Sequence, residues 1–167
     1  MPMDPLVILA KLETPEECEQ FAINVAQKYP EVALKAKRRE VELRAKGKGA
    51  RNDLERELLE AVFAYEAVLA QRRGKKIRAT RTWQMIERHG IVEAATRAVD
   101  RPDDTLGYQA LAAMGMQDIS FEAVVIRHPS AFSKAAVGRC RERIAQFQLP
   151  IVNELVKEKR DRINETC

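Results

Sequence analysis

The chain has 167 residues and a mass of 19.0 kDa, enough for one domain with its own core and tight for two. Hydrophobic residues supply 46% and charged residues 32%, which excludes a disordered tail. The 7 Gly, 7 Pro and 5% aromatics are poor material for a β-sandwich or barrel. The net charge of +4 is unevenly spread: residues 35–88 hold 16 Lys+Arg and 8 Asp+Glu, net +8, and the remainder hold 13 and 17, net −4. Such regional basicity is what a polyanion-binding surface requires, and a general solubility adjustment does not need it. Arg outnumbers Lys 18 to 11, favouring forked contacts to phosphate or carboxylate.

Start and stop signals recur along the chain. Asp4 before Pro5 opens a short helix to about residue 12. Thr14-Pro15-Glu16-Glu17 is a capping box with proline at the first helical position, predicting a helix over 15–28 with Cys18, Phe21 and Val25 on one face. Tyr29-Pro30 interrupts it, and a third helix runs to about Lys46, where Gly47 and Gly49 stop it. Asn52 with Glu55 reads as another box, opening the longest helix, 53–72, with Leu54, Leu58, Val62, Tyr65 and Leu69 on one stripe. Gly74 ends it.

The second half uses shorter pieces. Thr80 is expected to cap a helix reaching His89, Gly90 takes the position past its end, and residues 91–99 form the next. A loop with Pro102 covers 100–104. Helices are predicted at about 105–114, 119–128, 134–148 and 151–164, punctuated by Gly115, Pro129 and Pro150, with Ser133 capping the third and Val137, Cys140, Ile144 and Phe147 forming its apolar stripe. AVVIRH at 123–128 is the one rival for a strand, and Glu122 with its helix-like flanks argues against it. The expected fold is therefore all-α: an irregular multi-helix bundle of about nine short-to-medium helices in a single domain over 1–167. The one subdivision the pattern allows is an N-terminal helical pair over 1–49 packing on a core over 52–164. No run of about 18 apolar residues suggests a membrane span, and the start MPMDPLVILAKLE lacks the basic and long apolar regions of a signal peptide. Cys18, Cys140 and Cys167 form no CxxC pair, so a reducing cytoplasm is the expected location.

Catalytic and cofactor chemistry finds little support. His89 and His128 each close a helix, where an imidazole suits the carbonyl end, and no cysteine or carboxylate stands at zinc-ligand spacing from them. Cys18 and Cys140 fall on apolar stripes and read as small core residues. The glycines are isolated, with no phosphate-cradling loop. No catalytic residue, metal site or cofactor is expected.

The feature that stands out is RRGKKIRATRTW at 72–83, where six of the first ten residues are Arg or Lys and none is acidic. A basic loop leading into a helix N-terminus offers cations, free N–H groups and the positive end of the dipole to an anion. The predicted contacts there are Arg72, Arg73, Lys75, Lys76, Arg78, Thr80, Arg81 and Thr82, with Trp83 expected to be buried. The third helix and the turn after it add a basic ridge through Lys35, Arg38, Arg39, Lys46, Lys48 and Arg51, of which Lys35, Arg39 and Lys46 fall on one side of a helical wheel. A helix-turn-helix over 82–99 is disfavoured: Ile86 stands where a small residue is wanted, and only Arg97 on the second helix could read bases. The expected function is nucleic-acid binding, to duplex DNA, through phosphates and counterion release. The alternative is a protein–protein adaptor whose basic face meets an acidic protein partner. No membrane partner is expected.

Overall fold

Local capping chemistry sets most helix boundaries in the computed structural model, which describes residues 3–101 and 106–147. Asp4 accepts the Leu6 N–H at 2.9 Å and opens α1 (Pro5–Ala10). That helix stops two residues short of the expected point because Glu17 takes the chain away. Its carboxylate accepts the N–H groups of Glu13 and Thr14 while the Thr14 hydroxyl accepts that of Glu17, the complete capping box of α2 (Pro15–Val25). The end of α2 also falls early. Tyr29 precedes proline and cannot stay helical, so the Lys28 and Tyr29 N–H groups both turn back onto the Val25 carbonyl.

Next come α3 (Pro30–Lys46) and α4 (Asp53–Arg73), the latter capped by Asn52 and ended by Gly74 in the left-handed region at φ +67°. The Asn52 side chain caps as expected, but the Glu55 carboxylate bonds the N–H and guanidinium of Arg51 rather than the Asn52 N–H. The chain continues through α5 (Thr80–His89), α6 (Ile91–Val99), α7 (Leu106–Ala113) and α8 (Phe121–Arg127). A ninth helix, α9, covers residues 134–147. The described residues thus form nine α-helices and no strand. AVVIRH is helical through Arg127 in α8, with His128 as its C-cap, and Ser120 caps that helix two residues after the expected start because residues 117–119 form a 3-10 turn. Ser133 caps α9 through the Ala136 N–H, as predicted. The predicted helix over 151–164, most of the 100–104 loop and Cys167 lie outside the described residues.

Helix α4 is the centre of the molecule. Leu58, Leu59 and Val62 pack with Ala45, Trp83, Ile91, Ala95 and Val124, and Ala64 and Val68 pack with Val41, Ala110, Leu111 and Met116. Burial on more than one side explains why its apolar residues exceed the single stripe read from the sequence. A third cluster joins α9 to α6 and α8 through Val99, Val125, Val137 and the buried Cys140. The N-terminal helices have their own small cluster of Ala22, Ala33 and Ala36 beneath Leu9, Phe21 and Val25. None of the described helices is long and apolar enough to cross a membrane.

Candidate nucleic-acid interface

Trp83 organises the region singled out by charge. It is buried, as expected, with its ring 5.3 Å from that of Phe63 on α4 and tilted by 56°. The Lys48 ammonium, from the turn after α3, lies 4.9 Å from the indole centroid, and the Arg78 guanidinium carbon, from the turn before α5, lies 5.7 Å from it. Two basic turns separated by thirty residues of sequence are thereby brought against one ring, an arrangement favoured by the attraction of cations to an aromatic face.

The start of α5 is held differently from the expectation. Ala79, not Thr80, is the N-cap residue, and the Thr80 side chain makes no capping bond. The anion at this helix end is supplied by the chain itself. One Glu66 carboxylate oxygen accepts the Ala79 N–H at 2.7 Å and the Trp83 Nε1–H at 2.6 Å. A carboxylate reaching from α4 is a stronger acceptor than a hydroxyl, and it satisfies the indole as well. The chain after Gly74 is thus pinned at Ala79, leaving Lys75, Lys76, Arg78 and Thr80 exposed. Arg72 and Arg73 belong to the last turn of α4 rather than to the loop, where cations suit the carbonyl end of the dipole.

The structure divides the fourteen candidate contacts into three groups. Lys35, Lys46, Arg72, Arg73, Lys75, Lys76 and Arg81 are exposed and make no ion pair within the described residues. Lys48 and Arg78 share the Trp83 ring, Thr80 is exposed and Thr82 is half-buried. Three members of the expected ridge are engaged internally. Arg38 makes a forked pair with Asp118 at 2.7 and 2.8 Å and also donates to the Gly115 carbonyl. Arg39 donates to the Leu12 carbonyl at 2.7 Å, closing the turn between α1 and α2, and Arg51 is paired with Glu55 at 2.7 Å. The ridge is therefore narrower than the helical wheel suggested, because packing of α3 turns Arg38 and Arg39 toward a carboxylate and a carbonyl, while Arg51, beyond that helix, stays exposed in a local pair with Glu55.

Sequence reasoning missed Glu66, whose role no local spacing announces. It also missed Lys37, which hydrogen-bonds Gln71 and ties the first half of α3 to the end of α4 beside Arg72. His89 stands exposed at the last position of α5, as expected, and His128 closes α8 with its Nε2 3.2 Å from Glu57, which also receives Arg127 at 2.8 Å. Arg97 on α6 is paired with Glu93 at 3.0 Å, so the disfavoured helix-turn-helix would have no free reader on its second helix. Among the described residues no three His, Cys, Asp or Glu side chains converge as a metal site. No family model matches the chain, and comparisons with curated proteins and with solved structures gave no match.

Proposed function

We propose that this protein binds nucleic acid, duplex DNA in the first place, through phosphate contacts made by the turn around Lys46 and Lys48 and by residues 72–81. The observation that carries the reading is the meeting of Lys48 and Arg78 at Trp83. It brings the turn after α3 and the turn before α5 together at one ring, and the carboxylate bonded to that indole, Glu66, is occupied by two N–H donors. Binding would be driven by counterion release, with register set by backbone phosphates and little reading of base edges. Buried free thiols at Cys18 and Cys140 accord with a reducing, cytoplasmic setting.

The test is a fluorescence-anisotropy titration with random duplex, single-stranded DNA and RNA at several salt concentrations. Duplex binding should weaken linearly in log K against log salt, with a slope of about −0.9 per phosphate contacted. Binding to an acidic protein and to none of the three nucleic acids would put the adaptor reading in its place.

A further inference from the structure

A cleft of about 450 Å³ opens between α4, the start of α5, the end of α6, α7 and the start of α8. That volume lies within the span of small-molecule sites, about 300–1,000 Å³. Its walls are apolar, with Val62 and Leu69 from α4, Leu111 from α7 and Phe121 from α8. Arg78, Arg81 and Thr82 line it at the start of α5, and Arg101, Tyr108 and Ser120 add polar groups from just past the end of α6, from α7 and from the cap of α8. The one carboxylate in the lining, Glu122, is buried and already neutralised by Arg143 at 2.9 Å. Neither Arg78 nor Arg81 has a carboxylate partner within the described residues.

We propose that this cleft binds a small amphipathic organic anion, an alkyl or aryl carboxylate, with its apolar body between Leu69, Leu111 and Phe121 and its head group at Arg78 and Arg81. The lining asks for two kinds of chemistry at once. A neutral apolar ligand would make no use of the two exposed guanidinium groups at the cleft, and a bare inorganic anion would leave the apolar walls unfilled. A carboxylate on an apolar body meets both demands, with forked guanidinium hydrogen bonds fixing its orientation. The assignment rests on the cleft and its lining and is independent of the nucleic-acid reading, although Arg78 and Arg81 belong to both surfaces.

Isothermal titration of the full chain with octanoate, naphthoate, octanol and octylammonium tests it, the first two separating an alkyl from an aryl body. At least one of the two anions should bind saturably, one per chain, about tenfold or more tightly than octanol, and octylammonium should not bind. Replacing Arg78→Gln and Arg81→Gln together should weaken the anion about tenfold and leave octanol unchanged. Ala98→Leu adds bulk to the lining and should weaken every ligand, with circular dichroism checking the fold. Leu69→Ala, at a half-buried wall position, serves the same purpose if the larger side chain is not accommodated. Failure of both anions to saturate, equal binding of anion and alcohol, or an unchanged affinity in the double variant would overturn the proposal. DNA and octanoate titrated separately against the unaltered chain keep the two readings apart: octanoate binding without any DNA binding sinks only the nucleic-acid proposal, and DNA binding without octanoate binding sinks only this one.

Discussion

Glu66 joins α4 to α5 with one oxygen, because its two donors are the N-cap of α5 and the indole of the tryptophan that the basic turns touch. Glu66→Ala leaves both N–H groups without that acceptor and should cost about 2 kcal/mol in chemical denaturation, with Trp83 emission shifting to the red as the ring is wetted. Thr80→Ala, by contrast, should stay within about 0.5 kcal/mol, because its hydroxyl caps nothing. Asn52→Ala, which removes an acceptor for the Glu55 N–H at 2.9 Å, should cost about 1 kcal/mol. A loss at Thr80 equal to that at Asn52 would contradict the capping geometry. Cys140 shows burial acting on chemistry: desolvation pushes its thiol up to about 12, so no appreciable thiolate exists near neutral pH and native alkylation should be slow. Cys140→Asp should destabilise by about 3–5 kcal/mol through an unpaired buried charge. Cys140→Ala should cost about 1 kcal/mol.

At the scale of the element, α3 shows how packing divides a basic helix between structure and surface. Lys35 and Lys46 face solvent, whereas Arg38 crosses to Asp118 and holds the 3-10 turn before α8. The Arg38 hydrogen bonds keep the Asp118 carboxyl below its ordinary range. A carboxyl whose folded value lies below its unfolded one contributes fully above the unfolded value, and the contribution is lost as the pH falls through the folded one. Burial raises the Glu40 carboxyl against the pull of Arg44, so protonating it on acidification acts in the opposite direction. Urea denaturation at stepped pH should therefore show a loss of stability beginning in the ordinary carboxylate range. Asp118→Asn should make that loss shallower. An identical acid profile in the variant would show the Arg38–Asp118 pair to be energetically silent, as exposed pairs sometimes are.

For the whole molecule, the exposed cations are the testable surface. Replacing Arg72, Arg73, Lys75 and Lys76 with Gln removes up to four phosphate contacts from exposed side chains. DNA affinity should fall about equally for unrelated sequences, and the log K against log salt slope should become shallower by about 0.9 per lost contact. Stability should change by no more than about 0.5 kcal/mol per site. An unchanged slope would move the binding surface to Lys35, Lys46 and Lys48.

The helices were legible because their signals are local. Asp4, the Thr14–Glu17 box, Pro30, Asn52, Gly90 and Ser133 act on backbone groups within about four residues, so reading them needs no knowledge of the fold. The same holds for the periodic placement of Cys18, Leu58 and Cys140, which packing then buried completely or nearly so. The fate of each cation was not legible. Arg38 finds Asp118 eighty residues away and Arg39 finds the Leu12 carbonyl, while Lys48 and Arg78 meet at a ring that belongs to neither turn. Glu66 takes the place expected of Thr80 for the same reason. A long charged side chain reaches whatever acceptor packing brings near it, so charge density is a property of the sequence, whereas the division into engaged and free cations is decided only when α3, α4 and α5 are packed together.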